Sequence, residues 1–211
     1  MKLYQMDISP YTARCRLAIY AKGVEDKVEV IDPGNVKTAE YKAINPMGKI
    51  PALITDDGQA IPESDVICEY LEDAFPDTSL TPAAKANIRM VSRVADIYVL
   101  NAMEPFFDVA KGGPKVDELL AYGHKNTNWG LDRLEEVLIG PYAAGDRLTY
   151  ADGTVIAAIF YLLGVGRAFG VGDAIDNRPK LKAYWDFIQK DEHAARIIKE
   201  MQDAMNKLMG K

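Results

Sequence analysis

The chain has 211 residues, 48% of them hydrophobic and 27% charged, which is typical of a globular protein with room for one or two cores. Its net charge of −6 argues against nucleic-acid binding, and it has neither an apolar run long enough for a membrane span nor the apolar region of a secretion signal. Cys15 and Cys68 are too few for a disulfide framework and fit a reducing compartment, so we expect a cytoplasmic protein.

The first part of the chain predicts a small α/β unit. Alternating apolar runs indicate strands, and one-sided apolar spacing indicates helices. Gly23 marks the end of the first helix, and Asp56-Asp57-Gly58 marks a hairpin turn. The predicted elements are strand 2–6, helix 10–22, strand 27–31, helix 38–44, strand 52–55, a short strand near Ala60 and a helix from Ser64. Their order is βαβαββα.

Beyond this unit the sequence changes character. The stretch 75–83 has two prolines and several turn residues, which predicts an interdomain linker. Everything after it has helical spacing, interrupted at 112–114 and at 140–146. The predicted helices are 83–110, 115–138, 152–167, 178–190 and 191–208. The fold class is therefore α/β plus all-α, with a first domain at 1–77 and an all-helical domain at 84–211.

Ser9-Pro10-Tyr11-Thr12 lies where the first strand gives way to a helix. Ser is a favoured N-cap and Pro a favoured first helical residue, so a structural role explains both. The same position also suits catalysis, because a helix N-terminus offers free N–H donors and a hydroxyl there can stabilise a thiolate. These four residues alone leave both interpretations open.

The segment Asn45-Pro-Met-Gly-Lys-Ile-Pro-Ala-Leu53 is a loop that enters a strand. Turn residues and a strand-starting proline account for it structurally. The functional alternative is a cis Pro51 that lets Ile50 present its backbone N–H and C=O to a peptide ligand, with Lys49 near a carboxylate. The sequence does not decide between them.

Two further segments begin helices. Ser64 is a candidate N-cap, but Glu63 and Ser64 would also suit the ammonium and carboxylate of an amino acid. Thr149 and Asp152 have the spacing of a capping box, which we interpret as structural.

Taken together, these four segments resemble the cytosolic glutathione transferases with a serine-type N-terminal motif. The resemblance covers nearly the whole chain and implies a thioredoxin-like first domain that binds glutathione. It implies that Ser9 hydrogen-bonds the glutathione sulfur, and that Ile50 and a cis Pro51 hold the cysteinyl part. Glu63 and Ser64 would hold the γ-glutamyl end, with Lys49 near the bound peptide.

Several residues of this resemblance stay open. Tyr4, Tyr11 and Thr12 are alternative catalytic hydroxyls, although Tyr4 is better explained as a strand aromatic facing the core. The residues proposed for the electrophile pocket, which are otherwise core or dimer contacts, are Tyr98, Met103, Phe106 and Phe107. Arg93 and Asp96 are expected on a solvated face.

The function implied is a glutathione transferase that activates the glutathione thiolate for attack on a small hydrophobic electrophile, as in detoxification. Alternatives are a glutathione-dependent etherase, dehalogenase, isomerase or peroxidase of narrower specificity, or a non-catalytic protein-binding regulator of the same fold. Glutathione would be a cosubstrate, with no metal. The family is typically a homodimer, and we expect neither nucleic-acid nor membrane binding.

Overall fold

A computed structural model of the protein describes residues 1–81 and 85–210. The predicted linker 75–83 and the predicted helix 83–110 therefore lie partly outside the described residues, and Lys211 lies outside them. The elements of the first domain are β1 (Lys2–Tyr4), α1 (Pro10–Lys22), β2 (Glu29–Ile31), α2 (Ala39–Ile44), β3 (Ala52–Ile54), β4 (Ala60–Ile61) and α3 (Ser64–Ala74). A 3₁₀ turn at Glu25–Lys27 precedes β2. The predicted order βαβαββα is confirmed.

The four strands form one sheet in the order β2-β1-β3-β4. β1 runs parallel to β2 and antiparallel to β3, and β3 pairs antiparallel with β4. The strands are shorter than the sequence predicts, because the chain leaves the sheet after Gln5, whose N–H still donates to Ile31 at 2.8 Å. A tight turn follows, in which the N–H of Ser9 donates to the carbonyl of Met6 at 3.0 Å. This turn delivers the chain into α1.

The described part of the second domain is helical. Its helices are α4 (Lys85–Arg93), α5 (Glu104–Ala110), α6 (Asp117–Val137), α7 (Tyr150–Tyr161), α8 (Pro179–Ile188) and α9 (Glu192–Leu208). The single helix predicted at 83–110 is wrong in detail, because a π-helical stretch, Val94–Leu100, and a 3₁₀ turn, Asn101–Met103, separate α4 from α5. Pro105, which has no N–H to donate, lies in the first turn of α5. None of the described helices is long and apolar enough to cross a membrane.

Helix α7 is the centre of the core, since all twelve of its residues are buried. It crosses α1 of the first domain at Gly153, where a Cβ would lie only 2.7 Å from Cα of Arg14. A π-helical turn, Leu162–Gly166, continues α7, so the predicted helix 152–167 is shifted and split. The close crossing places α7 directly behind the start of α1.

Candidate active site

Ser9 occupies the N-cap position of α1, a helix of 13 residues that begins with Pro10. Its backbone is extended, with φ −82° and ψ 126°, as an N-cap requires. Within the described residues its hydroxyl makes no capping hydrogen bond, and the residue is half-buried. The N-cap interpretation is therefore confirmed for the position, while the hydroxyl itself is free to donate to a ligand.

Two of the three alternative hydroxyls are engaged elsewhere. Thr12 is fully buried, and its hydroxyl donates to the carbonyls of Met6 at 2.6 Å and Ser9 at 3.0 Å, so the structure speaks against Thr12 as a catalytic group. Tyr11 donates to Oδ1 of Asn101 at 3.2 Å. Burial, together with nearby Asp96 and Glu104, raises the pKa of Tyr11 to about 12 and keeps the phenol neutral.

Tyr4, the remaining alternative, is half-buried in β1. Its ring meets the ring of Tyr41 edge-on, with 5.9 Å between the centroids. This contact agrees with the interpretation of Tyr4 as a packing residue.

The peptide bond between Ile50 and Pro51 is cis, as the functional interpretation of this loop requires. The preceding carbonyl, that of Lys49, is held by the hydroxyl of Tyr41 at 2.7 Å and by Nδ2 of Asn45 at 2.8 Å. Within residues 1–81 and 85–210, neither the N–H nor the C=O of Ile50 has a hydrogen-bond partner. Ile50 can therefore pair with an extended ligand, while the side chain of Lys49 is exposed beside it.

Helix α3 begins one residue earlier than an N-cap at Ser64 implies. Glu63 takes the N-cap position, with an extended backbone, and Ser64 is the first helical residue. The N-cap interpretation of Ser64 is thus wrong, because Ser64 is already the first residue of the helix, where its N–H is one of the free donors of the helix end. The side chain of Glu63 is exposed, whereas Ser64 is buried.

The three segments meet at one end of the sheet. The pairing of Tyr4 with Ala52 places Pro51 beside the chain that leads to Ser9. The thiol of Cys15, in the second turn of α1, lies 3.6 Å from the carbonyl of Ser64, so α1 packs against the start of α3. The start of α1, the start of α3 and the backbone at Ile50 therefore lie at the same end of the sheet, where helix N-termini attract anionic groups.

Family models agree with both halves of the chain. A model described as the N-terminal domain of glutathione S-transferase matches residues 3–79, and one described as its C-terminal domain matches residues 98–191. The chain belongs to the glutathione S-transferase family. This confirms the family and the enzyme class that the four sequence segments predict.

Individual relatives support this assignment. Glutathione S-transferase 2 of Saccharomyces cerevisiae is 32% identical over 181 residues, which cover 76% of each chain. The crystal structure of Gtt2 from Saccharomyces cerevisiae is similar, with a TM-score of 0.76 and 26% identity over 93% of this chain and 100% of the other. A maleylacetoacetate isomerase from Methylobacterium extorquens AM1, solved with bound malonate and GSH, has a TM-score of 0.75 and 25% identity over 95% of this chain and 97% of the other.

The sequence did not indicate a charged network that lies behind the candidate site. Arg14 is completely buried and donates to Asp65 at 2.9 Å and to Asp96 at 3.4 Å. Arg93 bridges the same two carboxylates at 3.4 and 2.8 Å. We expected both Arg93 and Asp96 on a solvated face. This expectation is wrong for Asp96, which is buried and paired with Arg14. An arginine among apolar residues on the buried side of α1 was the available signal.

The four proposed electrophile contacts do not share one environment. Met103 and Phe106 are fully buried in the core, so the structure speaks against them as lining of an open pocket. Tyr98 is exposed and meets the ring of Trp129 edge-on at 5.2 Å. Phe107 is half-buried and meets Tyr161 of α7 edge-on at 5.4 Å. Phe107 therefore stays the best-placed candidate of the four.

The predicted capping box at Thr149 and Asp152 is confirmed. Oδ2 of Asp152 accepts from the N–H of Thr149 at 2.8 Å and from its hydroxyl at 2.9 Å. Oδ1 accepts from the N–H of Ala143 at 2.8 Å and from the hydroxyl of Tyr184 at 3.1 Å. Burial raises the pKa of Asp152 to about 6, against the opposing effect of these donors. Its role is to anchor α7.

Proposed function

We propose that the protein binds glutathione, stabilises its thiolate at Ser9, and uses this thiolate to attack a small hydrophobic electrophile. The observation that carries the proposal is the uncommitted hydroxyl of Ser9 at the free N-terminus of α1. In the reaction the glutathione thiol loses its proton to solvent, and the sulfur forms a bond to the electrophilic atom. Either a leaving group departs with its electron pair, or the sulfur adds to a double bond that then takes up a proton.

The energetic requirement is modest. A free thiol has a pKa of about 8.5, and lowering it by about two units takes about 2.7 kcal/mol of preferential stabilisation of the thiolate. A charge-assisted hydrogen bond contributes about 1.5–3 kcal/mol, and a helix N-terminus adds about 0.3–1 kcal/mol. One hydroxyl at a helix end is therefore sufficient.

The rest of the tripeptide has complementary partners. We propose that the N–H and C=O of Ile50 pair with the cysteinyl backbone, and that Glu63 accepts from the γ-glutamyl ammonium. Ser64 and the end of α3 would receive the γ-glutamyl carboxylate. Lys49 would lie near the glycyl carboxylate, where an exposed cation is attractive to an anion.

A second candidate is glutathione-dependent isomerisation, which is favoured by the likeness to the maleylacetoacetate isomerase. Here the thiolate adds to a double bond, rotation follows, and the same thiolate leaves again. Glutathione consumption separates the two reactions, since only transfer uses it up.

The test compares Ser9→Ala with Tyr11→Phe. We expect Ser9→Ala to lower kcat/KM toward an aryl halide electrophile about 100-fold, the effect of removing one donor to a developing or stabilised anion, while the dissociation constant of glutathione changes little. Tyr11→Phe should stay within about threefold, because the hydroxyl of Tyr11 is committed to Asn101. Ordinary activity of Ser9→Ala would overturn the mechanism and leave Tyr4 or backbone donors.

We propose that the protein is a homodimer. Each of α3, α4 and the π-helical stretch carries an exposed apolar side chain: Val66 is 50%, Met90 42% and Ile97 36% exposed. Light scattering should give twice the mass of the chain, and Ile97→Glu should give a monomer. Leu208→Glu, on exposed apolar surface at the end of α9, should leave the dimer intact. A monomeric wild type would contradict the proposal.

We also propose a cytoplasmic location and a part in detoxification. Cys15 and Cys68 are free and buried, which suits a reducing compartment rich in glutathione. Cell fractionation tests the location, and sensitivity of a deletion strain to electrophiles tests the role.

A further inference from the structure

The loop between β1 and α1 is held by side chains that bind its carbonyl oxygens one after another. The hydroxyl of Thr12 donates to the carbonyl of Met6 at 2.6 Å. Nη2 of Arg16 donates to the carbonyl of Asp7 at 3.1 Å. The hydroxyl of Tyr161 donates to the carbonyl of Ile8. Three consecutive carbonyls immediately before Ser9 therefore each have their own side-chain donor. We call the three donors, Thr12, Arg16 and Tyr161, the loop clamp.

Arg16 is the charged member of the loop clamp. It is only 2% exposed, and its Nη1 pairs with Oδ1 of Asp7 at 2.8 Å and with Oε2 of Glu200, on α9, at 2.6 Å. A buried guanidinium is costly unless it is paired, and these contacts fix its position. Asp7 is therefore held by both its side chain and its carbonyl, and through Glu200 the last helix of the chain supports the loop.

Tyr161 is the member that comes from the second domain. It ends α7, and its side chain is buried between Phe107 and Phe160, whose rings meet it edge-on at 5.4 and 5.3 Å. Burial raises the pKa of Tyr161 well above its ordinary value, so the phenol keeps its proton and can donate at neutral pH. The carbonyl next to Ser9 is thus fixed by a rigid side chain of the helical domain.

From this geometry we infer that Arg16 and Tyr161 are positioning residues for Ser9. They fix the loop so that the hydroxyl of Ser9 and the first N–H groups of α1 are directed at one point, where the sulfur of glutathione binds. This inference rests on the proposed function, because it assigns the loop clamp to the same thiolate. Misplacement of a reacting group by about 1 Å can cost about 100-fold in rate, so a small shift of the loop matters.

The test uses Tyr161→Phe, which removes one oxygen and keeps the aromatic packing. Three quantities are measured: the apparent pKa of the bound glutathione thiol from its ultraviolet absorbance, the dissociation constant of glutathione, and kcat. We expect the apparent pKa to rise by about one unit and kcat at neutral pH to fall about tenfold. Without the hydroxyl of Tyr161 the loop can shift, and the hydrogen bond from Ser9 to the thiolate is then weakened. The dissociation constant should change less than about threefold, because Ile50, Glu63 and Ser64 are untouched.

The control is Tyr150→Phe, which removes a phenol from the same buried helix but not from the loop clamp. It should leave the thiol pKa unchanged. A second variant, Arg16→Lys, keeps the charge but loses the planar pair of donors, and it should also raise the thiol pKa.

The outcomes separate the two claims. A thiol pKa that is the same in wild type, Tyr161→Phe and Arg16→Lys, but lowered in all three relative to free glutathione, overturns the loop clamp and leaves the proposed function standing. A wild-type protein that does not lower the thiol pKa at all overturns the proposed function itself. A pKa that rises in both clamp variants and not in Tyr150→Phe supports the inference.

Discussion

Nζ of Lys22 lies 2.7 Å from Oε1 of Glu72, and both side chains are almost fully buried. The same ammonium donates to the carbonyls of Phe75 at 2.9 Å and Thr78 at 2.6 Å. Glu72 in turn accepts from the N–H of Leu80 at 2.9 Å. This pair therefore ties the end of α1 and the end of α3 to the chain that leads into the helical domain.

Lys22→Met should destabilise the protein strongly. It leaves Glu72 buried without its cation, which costs about 3–5 kcal/mol when one partner of a buried pair is removed. Urea unfolding measures this change. Lys199→Met, which breaks an exposed pair with Asp203 on α9, should cost much less, because exposed ion pairs contribute little to stability. Equal costs for the two variants would show that the buried pair has no special role.

Gly153→Ala should destabilise the contact between the two domains. Its Cβ would lie 2.7 Å from Cα and 2.9 Å from Cβ of Arg14, so α1 and α7 must move apart. Overpacking of this kind costs about 1–3 kcal/mol in the free energy of unfolding. Gly164→Ala is the control, because a Cβ there meets nothing within 4 Å and alanine favours the helix by about 0.5–1 kcal/mol. A neutral Gly153→Ala would mean that the crossing adapts without cost.

The stability contributed by Asp152 should depend on pH in a defined direction. Burial raises its pKa from 3.8 to about 6, so the native state holds the proton more tightly than the unfolded chain does. This contribution is fully present below about pH 4, is lost as pH rises through about 6, and amounts to about 3 kcal/mol for a shift of about two units.

The measurement is the difference in free energy of unfolding between wild type and Asp152→Asn, which cannot titrate. We expect this difference to be larger at pH 4 than at pH 7. A difference for Asp152→Asn that grows with pH would contradict the assignment.

Glu63→Gln should weaken glutathione binding more than it slows the reaction. The exposed carboxylate of Glu63 lies at the N-cap of α3, and its loss removes one charge-assisted hydrogen bond to the γ-glutamyl ammonium in the proposed complex. We expect the dissociation constant to rise about tenfold and kcat to stay within about threefold. Titration calorimetry and steady-state kinetics check both values. The control is Glu69→Gln. Glu69 lies on the second turn of the same helix and loses only its pair with Arg89 of α4, so this variant should bind glutathione normally.

The sequence predicted most of the architecture because the relevant signals are local. Gly23 at the end of α1 adopts φ 66°, and Thr149 with Asp152 begins α7, as their residue types indicate. Strand lengths and the interrupted helix before α5 were less predictable, because they depend on where neighbouring elements withdraw or approach. The same is true of Ser64, where a one-residue difference in helix start separates a cap from a first helical residue.

By itself, the sequence determined the order of the elements and the position of Ser9 at a helix start, because capping preferences, turn residues and apolar periodicity act over a few neighbouring residues. The family was indicated by the resemblance of four segments, in their order and spacing, to the glutathione transferases. Only the tertiary structure decided that Arg14 and Asp96 are buried partners, that Thr12 is occupied by the loop, and that Tyr161 reaches the carbonyl of Ile8. These contacts join residues that are distant in sequence or specify which hydroxyl is free. Burial and hydrogen-bond geometry between packed elements set them, and no local pattern in the sequence encodes either.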